Sequence, residues 1–186
     1  MKEVDNVRRI FEETRVALDK HDAYEIKRLS NQTIHTAATS QDPDNIIVAV
    51  LVYSIAKLVE RDNYQSMEGW KEFYERLVVE LDSAVKHLVE NDLDKFRSSL
   101  GKIRNSINRI DSKLRVYIQD IFRKAEINKA FKLYEHGLSS QQTADLLGIT
   151  LWDMSTYIGQ SSVSEANIAR SLDVKKRVKY AEDIFR

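Results

Sequence analysis

Residues that break helices are few in this chain, and most of them lie close together. One Pro and five Gly occur among 186 residues, and three of the Gly fall within residues 137–159. Pro and Gly are the least favourable residues in a helix interior, because Pro lacks a backbone N–H and Gly loses the most conformational freedom. Long stretches without them predict an all-α protein, with a change of local structure at residues 137–159.

Apolar residues recur at helical spacing in the first third of the chain. They predict a first helix that ends near Lys20 and a second that ends near Thr39. Asp42 and Pro43 predict the start of a third helix, since Asp is a favoured N-cap and Pro fits the first helical position. Residues 46–59 are apolar on nearly every face, so we expect this third helix to lie at the buried centre of a helical bundle.

Two further apolar seams follow. The fourth helix has a seam that begins at Trp70, and a fifth seam begins after Asn91 and Asp92. The fifth seam has eight positions at alternating steps of four and three residues, which predicts one long heptad-patterned helix that continues towards Tyr134. Its positions are Phe96, Leu100, Ile103, Ile107, Ile110, Leu114, Tyr117 and Ile121. Such a helix packs against the fourth as an antiparallel hairpin, or pairs with its own copy in a dimer.

Composition excludes several classes of function. The chain has no Cys, which excludes a disulfide framework, a thiolate nucleophile and a cysteine-ligated metal. The N-terminal residues are charged and amphipathic, unlike a secretory signal, and the longest apolar run is too short to span a bilayer. We therefore expect a cytoplasmic protein that does not enter a membrane.

The formal net charge is zero, but the charges are unevenly distributed. Residues 1–94 hold 12 basic and 19 acidic side chains, whereas residues 95–132 hold 11 basic and 3 acidic ones. This separation predicts either neutralisation between the two parts of the chain or a basic surface for an anionic partner.

Residues 137–159, GLSSQQTADLLGITLWDMSTYIG, are typical of two short helices joined by a tight turn. Ser139 is the expected N-cap of the first helix, and Gln142 completes its capping box. Thr150 and Asp153 serve the second helix in the same way. This spacing resembles the helix-turn-helix of prokaryotic regulators and antitoxins.

The resemblance implies a non-enzymatic regulator or antitoxin-like protein that binds a protein partner, DNA or both. It also divides the chain into a bundle of about five helices at residues 1–130 and a helix-turn-helix module with a closing basic helix at residues 131–186. If DNA is bound, we expect one set of side chains to approach bases and a second set to contact phosphates. The first set is Ser155, Thr156 and Gln160, and the second is Lys175, Lys176 and Lys179.

The lack of cations in residues 137–160 leaves open a function other than DNA binding. Residues 137–160 contain no Lys or Arg, whereas helices that enter DNA normally bring cations to the phosphates. The segment does contain Trp152, Met154 and Tyr157. In a purely structural, partner-binding bundle these three side chains would form an exposed apolar patch.

Arg28 and His35 suggest a second alternative. They lie seven residues apart, on one face of the second predicted helix, so a long Arg side chain can bend towards the His. An Arg followed within a few residues by His resembles the signature of the HEPN ribonucleases, although Leu29 stands where that family usually has a polar residue. The resemblance implies RNA cleavage by Arg28 and His35.

Motifs for other chemistry are absent from the sequence. The four His residues lack the spacing of metal ligands, and no glycine-rich phosphate loop occurs. We therefore predict neither a metal nor a nucleotide cofactor.

Overall fold

The computed structural model describes residues 1–40, 42–110, 113–147 and 149–156, and these residues contain helices and no strand. This confirms the all-α prediction. The helices are α1 (Val4–Asp19), α2 (Ala23–Ser40), α3 (Pro43–Val59), α4 (Trp70–Val89), α5 (Leu93–Asn108), α6 (Lys113–Glu135) and α7 (Ser140–Leu147), and a short 3-10 turn covers Asp62–Tyr64. Residues 151–156 are also helical.

Helix α3 lies at the centre of the bundle, as predicted. The Asp42 side chain caps it by accepting a hydrogen bond of 3.0 Å from the backbone N–H of Asp44, and Pro43 occupies its first turn. Buried side chains lie on all sides of the helix, and its main neighbours are α2 and α6. The central position of α3 follows from its composition, because a helix that is apolar on every face must be covered on every face.

Buried apolar side chains from all six helices α1–α6 form one large cluster around this centre. The seams of α1 and α4 both face it, as their apolar spacing predicts. Phe11 of α1 meets Phe96 of α5 edge to face, with ring centroids 5.5 Å apart. Aromatic pairs in this geometry add to the stability that comes from burial alone.

The prediction of one long helix after Asp92 is wrong. Helix α5 ends at Asn108, where the backbone N–H of Arg109 bonds to the carbonyl of Ser106 at 3.2 Å, and α6 begins at Lys113. Asn and Ser are concentrated in the last turns of α5. Their short polar side chains compete with the helical backbone for hydrogen bonds, which explains why an apolar seam alone did not keep the helix continuous.

The apolar seam nevertheless crosses this break. Ile110 within the break and Leu114 after it are both buried. The predicted seam position Ile121 is buried as well, and only Tyr117 departs from the pattern, because it is exposed and Ile118 is buried in its place. The heptad pattern therefore identified the buried surface correctly without showing that two helices form it.

A smaller apolar cluster lies at the other end of the bundle. It consists of Ile34, Ala37, Ile46, Ala49, Leu133 and Leu138, with Ala38 and Leu147 packed against it. These residues come from α2, α3, the last turn of α6, and α7 with the turn before it. Helix α6 runs through residue 130, the predicted boundary between the two units, and α7 packs on the bundle through this cluster.

Candidate functional site

The predicted capping boxes of the C-terminal segment are both present. The backbone N–H of Gln142 donates to the Ser139 hydroxyl at 3.2 Å, and the Gln142 side chain accepts from the backbone N–H of Ser139 at 3.1 Å. The backbone N–H of Asp153 donates to the Thr150 hydroxyl at 3.0 Å, and that hydroxyl donates to the Asp153 carboxylate at 2.7 Å. Local hydrogen bonds thus fix the start of α7 and of the helical residues 151–156.

The side chains of residues 151–156 divide between the core and the surface. Trp152 is 79% exposed and Leu151 is also exposed, whereas Met154 is 1% exposed. The prediction that Met154 belongs to an exposed apolar patch is therefore wrong. The helix must bury one apolar residue to hold its place on the bundle, and Met154 is that residue. Ser155 and Thr156, two of the predicted DNA-reading residues, are exposed.

The remaining residues predicted for this segment lie outside the described part of the chain. They are Tyr157 and Gln160, together with Lys175, Lys176 and Lys179.

A groove of about 460 Å³ lies between α3, α6 and residues 151–156. Tyr53 and Lys57, one turn apart on α3, form one wall together with Arg61, which lies just beyond the end of that helix. Lys124 of α6 lies on the second wall, and Trp152 lies on the third. The groove therefore combines cationic side chains with two aromatic ones.

An ion pair holds residues 151–156 against α6. Arg123 donates to the Asp153 carboxylate at 2.9 Å. The Thr150 hydroxyl and the Arg123 guanidinium both hold the pKa of Asp153 below its ordinary value, with the hydroxyl as the larger cause. The negative charge of Asp153 is therefore offset by a cation of α6.

The cations of the groove differ in how far they are neutralised. Lys57 pairs with Glu60 at 2.5 Å and Lys124 pairs with Asp120 at 2.7 Å. Arg61 instead donates to the hydroxyl of Tyr64 at 2.9 Å, a neutral partner. Arg61 therefore has no carboxylate as its hydrogen-bond partner, although Asp120 and Glu60 lie within electrostatic range of it.

Lys129 adds a buried positive group behind this wall. Its side chain is 0% exposed, its ammonium donates to the Asn31 amide oxygen at 2.9 Å, and it lies 4.3 Å from the centroid of the Tyr53 ring. Burial, with smaller contributions from Lys132 and Lys27, lowers the pKa of Lys129 to about 7. Neither an amide nor an aromatic face carries the negative charge that a buried ammonium normally requires.

Lys129 is not among the functional residues predicted from the sequence, although the sequence contains a signal for it. Steps of four from Ile121 along the buried face of α6 reach Ala125, Lys129 and Leu133, all of which are buried. A Lys at a seam position between apolar residues is the pattern that would have identified it.

The structure does not bring together the pair predicted for the ribonuclease alternative. Arg28 donates to Glu25 at 2.7 Å and forms an ion pair with Glu13 at 3.9 Å, so its side chain is directed towards the start of α2. His35 packs edge to face on His136, in the turn after α6, with ring centroids 5.4 Å apart. Nothing in the sequence pairs these two His residues, because they are far apart along the chain.

Within the described ranges, no three His, Cys, Asp or Glu side chains come together in a way that could hold a metal ion. No described helix has both the length and the apolar character needed to cross a bilayer. Comparisons with protein-family models, with curated proteins and with solved structures find no match to this chain.

Proposed function

We propose that this chain is a non-enzymatic, cytoplasmic regulator or antitoxin-like protein that binds an acidic protein partner through Trp152 and the groove beside it. The observation that carries the proposal is the exposure of Trp152 on a helix that is capped and tethered. A large aromatic side chain, 79% exposed at the edge of a groove of about 460 Å³, is the kind of anchor on which protein interfaces depend.

The segment that carries Trp152 is held in place before any partner arrives. The Thr150 cap and the buried Met154 side chain restrain residues 151–156, and the Arg123–Asp153 ion pair adds a contact with α6. A partner would therefore lose little binding energy to the ordering of this surface. Such preorganisation is a main source of affinity in interfaces of modest size.

The charges around the groove favour acidic side chains on the partner. Arg61 and the buried Lys129 are not paired with carboxylates by their hydrogen bonds, which go to Tyr64 and Asn31. Exposed ion pairs such as Lys57–Glu60 contribute little stability, so a partner carboxylate can exchange with the resident one. An apolar side chain packed on Trp152 and carboxylates near Arg61 would complement this surface.

DNA is the second partner that the helix-turn-helix resemblance implies. Ser155 and Thr156 are exposed at the end of the helical residues 151–156, where they could approach bases. Leu151, Trp152 and Asp153 on the same short helix are better suited to protein contact than to a phosphate backbone. We therefore propose protein binding as the primary activity and treat DNA binding as an outcome to be tested.

The test is a pull-down from native cytoplasm with the wild-type chain, Trp152→Ala and Tyr24→Ala, each with and without nuclease. Tyr24 is a matched control, because it is an aromatic residue of α2 that is 78% exposed. The proposal expects a protein that is retained by wild type and by Tyr24→Ala, is lost with Trp152→Ala, and does not depend on nuclease. Retention that disappears with nuclease would indicate nucleic acid instead. Equal retention by all three chains would overturn the role of Trp152.

A further inference from the structure

Helices α2 and α6 face each other across a seam of titratable and cationic side chains. Two contacts define it: the Lys129 ammonium donates to the Asn31 amide oxygen at 2.9 Å, and the His35 and His136 rings lie 5.4 Å apart. Helical spacing adds Lys27, one turn before Asn31, and Lys132, one turn before His136. The α2–α6 seam is thus Lys27, Asn31 and His35 on α2 with Lys129 and Lys132 on α6 and His136 in the turn that follows α6.

Positive charge in this seam exceeds the negative charge that compensates it. Lys132 pairs with Glu135 at 2.6 Å, whereas the hydrogen bond of the buried Lys129 goes to a neutral amide. The ammonium groups of Lys132 and Lys27 both contribute to the lowered pKa of Lys129, which places all three within electrostatic range of one another. An anion bound at the seam would relieve this repulsion.

The two imidazoles are positioned to meet such an anion. His35 on α2 and His136 in the turn after α6 are both exposed, and Lys132 lies one turn before His136. Each imidazole offers an N–H donor, and an ammonium offers three. Two imidazoles 5.4 Å apart with an ammonium one turn away offer the several donors that suit a tetrahedral oxyanion.

We infer that the α2–α6 seam binds a dianionic phosphate group, with His35, His136 and Lys132 as donors and with Lys27 and Lys129 as more distant sources of positive potential. A phosphate group carries close to two negative charges at neutral pH and has three or more acceptor oxygens. A single carboxylate would leave part of the positive charge uncompensated. A divalent metal ion on the same His pair would be repelled by the three ammonium groups.

The four His residues of the chain provide the readout. We propose to titrate the full chain with inorganic phosphate, against sodium chloride at matched ionic strength, and to follow the imidazole resonances by NMR. The resonances of His35 and His136 should shift together and saturate. Those of His21 and His87 should not move, since His21 lies in the turn between α1 and α2 and His87 of α4 is hydrogen-bonded to Ser99.

Variants that remove one positive charge distinguish a specific phosphate site from a general attraction of anions to the protein. Lys132→Gln should weaken the phosphate affinity by roughly tenfold, the effect expected when one charge-assisted hydrogen bond is lost. Lys86→Gln removes the same charge from a position on α4 that is 71% exposed, and it should leave the affinity unchanged. His35→Ala should abolish the saturable shift of His136.

A second arm distinguishes free phosphate from a phosphorylated organic ligand. A nucleoside 5′-monophosphate that binds more tightly than inorganic phosphate, while its parent nucleoside does not bind, would assign the site to an organic phosphate. Equal affinities would assign it to free phosphate, and both results support the inference. Shifts that never saturate, or that appear equally at all four His residues, would overturn it.

Discussion

Replacing Lys129 with Met should stabilise the protein, and by an amount that depends on pH. Lys129 is 0% exposed and its ammonium has Asn31 and the Tyr53 ring as neighbours. Met fills a similar volume without a charge, so the variant keeps the packing of α6 and removes the cost of burying an amine. We therefore expect a larger free energy of unfolding for Lys129→Met than for wild type at neutral pH.

The magnitude follows from the pKa of the buried amine. The pKa of Lys129 falls from 10.5 to about 7 in the folded chain. Each pKa unit corresponds to about 1.4 kcal/mol, so the burial of Lys129 costs on the order of 4 kcal/mol at pH 7. Between these two pKa values the unfolded chain binds more protons than the folded one, and the stability of the wild type rises with pH. The advantage of Lys129→Met should therefore shrink by about 3 kcal/mol between about pH 7 and pH 9.5.

Urea denaturation of both chains across this pH range, followed by circular dichroism, measures the difference directly. Lys86→Met is the matched control, because Lys86 is 71% exposed and its pair with Glu90 spans 3.9 Å. The free energy of unfolding of Lys86→Met should differ little from that of wild type, and the difference should be nearly constant with pH. An advantage of Lys129→Met that stays the same from neutral to alkaline pH would refute the reasoning, since the buried amine would then not titrate in this range.

Further predictions concern local structure and the ribonuclease alternative. Gly101→Ala should raise the free energy of unfolding by about 0.5–1 kcal/mol, because Gly101 lies inside α5 and a Cβ there meets nothing within 4 Å. Gly137→Ala should instead lower it by about 1–2 kcal/mol, because Gly137 has a φ of +97°; denaturant titrations of the two variants check both signs. Ser139→Ala should cost about 1 kcal/mol through loss of the α7 capping box, measured in the same way. In metal-free buffer we expect wild type to cleave RNA no faster than His35→Ala does; faster cleavage by wild type would favour the ribonuclease alternative.

The features that the sequence predicted well are those fixed by neighbouring residues. The caps at Asp42, Ser139 and Thr150 each depend on a side chain and a backbone N–H two or three positions away. The central place of α3 depends only on its own apolar composition. Such features depend only on short stretches of sequence, so they can be predicted without the tertiary fold.

The features that the sequence did not predict depend on contacts between distant residues. The His35–His136 contact and the Lys129–Asn31 hydrogen bond join α2 to α6 and the turn after it, and the apolar periodicity of either helix says nothing about that pairing. The burial of Met154 is similar, because a short helix with several apolar residues does not reveal which one faces the bundle. The end of α5 at Asn108 is a local feature, but the apolar seam across it concealed the polar residues that cause it.

Helices α2 and α3 each supply side chains to both apolar clusters. Ile26 and Leu29 belong to the large cluster and Ile34 to the small one, while α3 contributes Ile55 to the first and Ile46 to the second. The two ends of the bundle consequently cannot melt independently, and a single cooperative transition is expected. A chain cut after α6 would lose the cover that Leu138 and Leu147 give to the small cluster and would expose fresh apolar surface. The C-terminal segment that carries the proposed binding surface therefore also covers the small apolar cluster.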